Sequence, residues 1–110
     1  MSKLDLAIDE YILRIEEWGI DRGLISVSSN ENSKAQMLKL MEEVGETARA
    51  LAYGDQEGLI DGIGDCVVVL TILAQQCDTS LAECIDAAWD EIKDRKGRLE
   101  DGLFKKDSDL

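Results

Sequence analysis

The chain has 110 residues with 24 acidic and 12 basic side chains, no proline and 5% aromatic residues, for a net charge of −12. That length supports one hydrophobic core, expected as a single domain over residues 1–110, and the composition favours helices over strands. Repulsion from a phosphate backbone excludes a general binder of nucleic-acid polymers; a small phosphate ligand carried by divalent cations stays open, because the ions invert the local field.

A first helix is expected from about Lys3 to about Asp21, with Leu4, Ile8, Tyr11, Ile12, Ile15 and Trp18 at three- and four-residue spacing and Gly23 as its stop. Leu24 to Asn32, rich in Ser and Asn, reads as a loop. A second helix opens at Asn32 or Ser33, either a good N-cap, and stops at Gly54. It carries Lys39-Leu40-Met41-Glu42-Glu43-Val44-Gly45-Glu46, three carboxylates within little more than one turn. Glu43 with Glu46, or Glu42 with Glu46, can reach one ion. Two carboxylates 5 Å apart repel by roughly 3 kcal/mol at an effective dielectric near 20, so a close cluster needs a cation or raised proton affinities. If Met37, Met41, Val44, Ala48 and Leu51 centre the apolar stripe, Glu42 and Glu46 fall on the far side, and a solvated face is the alternative.

The third segment, Leu59 to Ala74, exceeds the usual strand length without a turn signal and reads as a helix that is apolar nearly all round. Such a helix must be covered on most sides, and a second subunit is the expected cover. Asp65 shares its face with Val68, Val69 and Ile72, with Asp61 one turn earlier, and a carboxylate there needs a partner. The alternative is a helix start at Gly64 that leaves Asp65 near the positive end of the dipole. Gly62 and Gly64 each cost about 1 kcal/mol inside a helix, which points to close backbone approach or a helix irregularity.

A fourth helix begins at Ser80, with Glu83 at capping-box spacing, and runs through Leu81, Cys84, Ile85, Ala88, Trp89 and Ile92. Its end turns basic with Lys93, Arg95, Lys96 and Arg98, followed by Lys105 and Lys106. These cations suit a helix C-terminus or an arm that holds phosphate oxygens. Cys66, Cys77 and Cys84 lack zinc-site spacing and histidine partners, and read as small buried apolar residues in a reducing compartment. The N-terminal stretch resembles no signal peptide and no apolar run reaches bilayer length, so a cytoplasmic protein without membrane partners is expected. With no P-loop, dinucleotide fingerprint or histidine, metal chemistry is the remaining candidate.

Four segments taken together carry a resemblance. They are Trp18-Gly19-Ile20-Asp21-Arg22-Gly23, Gln36 through Glu46, Asp61-Gly62-Ile63-Gly64-Asp65, and Glu91 through Gly97 with Gly102 and Phe104. In this order they resemble the MazG-like nucleoside triphosphate pyrophosphatases of the all-α NTP pyrophosphatase superfamily, over nearly the whole chain. The resemblance implies an all-α fold, a four-helix bundle that forms a homodimer or homotetramer through its helices. It also implies magnesium, with manganese as an alternative ion, in hydrolysis of a nucleotide substrate to monophosphate and pyrophosphate. The family pairs E-x-x-E on one helix with E-x-x-D on the next. Glu43 and Glu46 match the first pair and Asp65 the last position, while the third falls on Gly62. Asp61, one residue further back, takes the missing place in an altered Asp-x-x-x-Asp arrangement that some relatives resemble.

The metal ligands expected on this basis are Glu43, Glu46, Asp61 and Asp65, with Glu43 in the catalytic group beside Glu42, which orients the attacking water. Lys39, Lys93, Arg95, Lys96 and Lys106 are the expected phosphate contacts, with supply of the last four from the same subunit or from another as the two alternatives. Trp18 and Trp89 are candidates for stacking on a base, with a core role as the alternative. A phosphoribosyl-ATP pyrophosphohydrolase-like enzyme and a non-catalytic helical regulatory or assembly protein are the rival readings.

Overall fold

In the computed structural model, which describes residues 6–26 and 32–109, four helices precede a short hairpin. They are α1 (Ile8–Asp21), α2 (Ser33–Ala52), α3 (Gln56–Gln76) and α4 (Leu81–Ile92). The first helix starts at Ile8, later than Lys3; residues 3–5 and most of the expected loop lie outside the described residues. Asp9 and Glu10 occupy its first turn, where acids offset the positive helix end.

The dominant packing unit is the hairpin of α2 and α3. The chain reverses over Tyr53 to Asp55, with Gly54 at φ 68°, a left-handed conformation glycine adopts without a Cβ clash. The Asp55 N–H donates to the Ala50 carbonyl at 2.9 Å. Its carboxylate then accepts from the Gly58 N–H at 3.0 Å and caps α3. Because the cap is at Asp55, Gly64 lies inside a continuous helix and does not start one, which removes the dipole explanation for Asp65.

The two glycines of α3 separate cleanly. Gly62 is buried against α2; a Cβ there would overlap the Thr47 hydroxyl and lie 3.1 Å from the Thr47 Cα. Around Gly64 nothing stands within 4 Å. Gly62→Ala is therefore expected to destabilise the fold by about 1–3 kcal/mol, the usual cost of overpacking, whereas Gly64→Ala gains up to about 1 kcal/mol from helix propensity. Denaturant melts of the two variants check this contrast. A glutamate at Gly62, attractive from helix propensity alone, has no room.

On α2 the face turned to α3 is Leu40, Glu43, Thr47 and Ala50, and not the expected apolar stripe. Met37, Met41, Val44 and Leu51 are 44–67% exposed on the single chain. On α3, Ile60, Ile63, Val67 and Leu70 form a second exposed apolar row at helical spacing. The core holds Val69, Thr71, Ile72 and Gln76 of α3. Gln76 Nε2 donates to the Leu24 carbonyl at 2.9 Å and Gln75 Nε2 to Glu16 at 2.6 Å, tying α1 to the end of α3.

Ser80 caps α4 as its spacing predicts, accepting from the Glu83 N–H at 3.1 Å. The Glu83 carboxylate instead accepts from the Thr79 hydroxyl, at 2.7 Å. Beyond Leu81 every residue of α4 is exposed. Two of the three cysteines, Cys77 and Cys84, are exposed as well, contrary to their expected burial; only Cys66 is half-buried, with its Sγ 3.9 Å from the Thr47 hydroxyl. An antiparallel hairpin, β1 (Gly97–Glu100) with β2 (Leu103–Lys106), follows α4 and was not expected. The described chain is open: its radius of gyration is 16.4 Å, against about 13 Å for a compact domain of this size. No helix among the described residues is long and apolar enough to cross a membrane.

Candidate functional site

Glu43 is the most buried of the four expected ligands. Its side chain is only 8% exposed, one oxygen lies 3.2 Å from Lys39 Nζ, and Oε2 is buried with no hydrogen-bond partner. A buried carboxylate carries a large desolvation cost unless its charge is matched, and a buried polar atom without a partner calls for an explanation such as an ion. Across the helix pair stands Asp65, half-buried on α3. Burial pushes its carboxyl above the usual aspartate range, reinforced by the charges of Asp61 and Glu43 and by hydrogen bonds with both. Lys39 is raised as well, but here the charged form is the one favoured: its hydrogen bond to Glu43, then the charges of Glu42 and Glu43, hold its ammonium above the ordinary lysine value.

Glu46, Asp61 and Asp65 open into a cleft of about 300 Å³ between the end of α2 and the start of α3, walled also by Arg49, Tyr53 and Gly62; Glu43 lies buried behind Asp65 and does not line it. Helical spacing explains the grouping. Glu46 follows Glu43 by three residues and Asp65 follows Asp61 by four, and the antiparallel hairpin sets the two pairs face to face. Glu42 is exposed, pairs with Lys39 at 3.7 Å and does not line this cleft. Among the described residues no three carboxylates close a coordination shell by themselves. An all-oxygen donor set of this kind suits a hard divalent cation that takes one or two carboxylates and fills its remaining positions with waters and phosphate oxygens.

Asp65 also borders an apolar recess of about 470 Å³ with Tyr11, Ile15, Trp18 and Val68. Trp18 thus shares a recess with Asp65, and Arg22 lies 5.0 Å from its ring centroid. Trp89 is not. It lines a separate groove between α1 and α4 with Ile8 and Ile85. Arg95, Lys96 and Lys106 gather at a third place, the junction of α4 with the hairpin, away from the acid cleft of the same chain. Lys93 pairs with Asp90 at 2.9 Å and Arg95 with Glu91 at 3.2 Å. Arg49 is the cleft residue that reading by motif passed over, since an arginine three positions beyond Glu46 looks like one more solvated helix residue.

A family model described as the MazG nucleotide pyrophosphohydrolase domain matches residues 31–99. The chain belongs to this family. The MazG match takes in α2, α3 and α4, and so all four expected ligands, but leaves out Trp18 and Lys106. A protein of Haemophilus phage HP1 (strain HP1c1), described as an uncharacterized 18.2 kDa protein in the rep-hol intergenic region, is 41% identical over 69 residues. That alignment covers 63% of the MazG chain and 40% of the phage protein, so the chain spans about two fifths of the curated relative it matches. No solved structure matches it.

Proposed function

We propose that the protein hydrolyses a nucleoside triphosphate, a deoxynucleotide or a modified nucleotide, to the monophosphate and pyrophosphate, as housekeeping of the cytoplasmic nucleotide pool. The observation that supports this most is the buried Glu43 with an unpartnered oxygen, facing an Asp65 of raised proton affinity in a MazG-family chain. Magnesium, or manganese in its place, would be held by Glu43, Glu46, Asp61 and Asp65, neutralising the phosphates and lowering the pKa of the attacking water. Asp65 stands where the cleft meets the Trp18 recess, so a base on Trp18 brings its α-phosphate to the acids. Lys39 neutralises Glu43 until substrate arrives, and Glu42 orients water from the exposed edge. The test is pyrophosphate release from a panel of canonical and modified nucleotides with and without magnesium. Folded protein that releases none from any of them rejects the reading.

The working form is a homo-oligomer. What supports this is the exposed apolar rows of α2 and α3, with Ile85 and Trp89 of α4, a surface of the kind a second subunit covers. In such an assembly Lys93, Arg95, Lys96 and Lys106 of one subunit supply cations to the cleft of another. Sedimentation is expected to give a dimer or tetramer at micromolar concentration, and a well-folded monomer there contradicts it.

A further inference from the structure

Among the cations of the described residues Arg49 is set apart by its place, on the wall of the acid cleft. Lys39, Lys93, Arg95 and Arg98 are each paired with a carboxylate. Arg49 shares a cleft with Glu46, Asp61 and Asp65 and, among the described residues, forms an ion pair with none of them. Its guanidinium instead lies over the Tyr53 ring, 5.0 Å from the centroid. Stacking on an aromatic face fixes the guanidinium plane and leaves its N–H edge free, the geometry that meets a phosphate with two parallel hydrogen bonds. Both residues are exposed at the mouth, so a ligand can reach them.

We infer that Arg49, positioned by Tyr53, receives the terminal phosphates of the nucleotide, so that this cleft selects triphosphates over diphosphates. The inference rests on the hydrolase reading above and gives the substrate a direction. The recess at Trp18 and the cleft meet at Asp65, which sets the nucleoside on the α1 side and the phosphate chain along the α2–α3 side. Arg49 lies three residues beyond Glu46, a rise of about 4.5 Å further along α2. A diphosphate ends at the acids; the third phosphate covers the remaining distance to the guanidinium. In the reaction a water oxygen bonds to the α-phosphorus, and the bond from that phosphorus to the bridging oxygen breaks. Pyrophosphate leaves with that oxygen and its electron pair, and the water's proton passes to solvent. Arg49 offsets the charge that grows on the leaving group.

The experiment compares kcat/KM for the triphosphate and diphosphate of one accepted nucleoside in wild type, Arg49→Gln, Arg49→Lys and Asp65→Asn. Calorimetry with inorganic pyrophosphate and magnesium supplies a readout independent of turnover. Arg49→Gln is expected to lower the triphosphate-to-diphosphate ratio about tenfold and to weaken pyrophosphate binding by a similar factor, the scale of a lost charge-assisted hydrogen bond. Arg49→Lys, which keeps charge but not the fork, recovers part of both, and Tyr53→Leu shifts the ratio the same way by less. Because Arg49 is exposed, its variants are expected to melt as wild type does. A ratio and a pyrophosphate affinity both within twofold of wild type in Arg49→Gln overturn the assignment, as does a wild type indifferent to chain length. If Asp65→Asn is inactive while Arg49→Gln is unchanged, Arg49 alone fails. If wild type cleaves no nucleotide, the hydrolase reading fails and the pyrophosphate titration still decides Arg49.

Discussion

Asp65→Asn is expected to lower magnesium-dependent turnover by two orders of magnitude or more, the scale seen when one preorganised charge-stabilising group is removed, while the protein stays folded. Asn keeps the shape of the side chain and discards its charge. The stability of the metal-free protein should then move in a direction that separates a functional acid from a structural one. Burial, then Asp61 and Glu43, raise the Asp65 carboxyl, so ionising it costs more in the folded state than in the unfolded one. Below the ordinary carboxylate range the group is protonated in both states and no penalty exists. As pH rises through the raised folded value the penalty appears in full. Wild type should therefore lose stability over that window without metal, Asp65→Asn should lose less, and saturating magnesium should narrow the gap. Glu43→Gln is expected to be equally inactive but without the gain, because it gives up the 3.2 Å ion pair with Lys39. Thermal melts between pH 4 and pH 8, with and without magnesium, check all three; near-normal turnover in both variants rejects the metal assignment.

Much of this layout is legible in the sequence because it depends on local chemistry. Ser80 announces the fourth helix by its cap, and Gly54 announces the reversal that sets Glu43 and Glu46 against Asp61 and Asp65, while the Asp55 cap that starts α3 emerges only in the structure. The face of α2 that meets α3 is different, since it follows from a tertiary contact. Gly62 gives Thr47 room to approach, and that contact turns Leu40, Glu43 and Ala50 inward while the more apolar Met37 and Met41 stay outside. Hydrophobic periodicity points to the wider stripe because it cannot tell packing within a chain from packing between chains. The hairpin at Gly97–Lys106 had a signal: Asp101-Gly102, with φ of 52° and 78°, is the residue pair that a two-residue turn of this hand requires. Its flanks, Gly-Arg-Leu-Glu and Leu-Phe-Lys-Lys, are short and charged, and masked it.

Asp61→Asn decides how the cluster makes up for the glycine where the family pattern places a carboxylate. Asp61 is exposed, so the cost of an isolated buried charge does not explain its presence beside the cleft. Its charge nevertheless reaches Asp65, whose raised proton affinity it strengthens through both repulsion and a hydrogen bond. Two carboxylates close enough to interact in this way, one turn apart on one helix, can grip the same ion. As a ligand, Asp61 should lose activity on conversion to Asn nearly as completely as Asp65, with a weaker apparent magnesium affinity at fixed nucleotide. In a three-acid site built on Glu43, Glu46 and Asp65, Asp61→Asn would be mild and could even tighten magnesium by relieving repulsion at Asp65. Restoring the family carboxylate at Gly62 cannot arbitrate, because Thr47 fills that space. The comparison therefore rests on pyrophosphate release by Asp61→Asn and Asp65→Asn across a magnesium titration. A loss of about a hundredfold or more in Asp61→Asn is expected, the scale of removing a directly acting charge, and kinetics like those of wild type would remove Asp61 from the site.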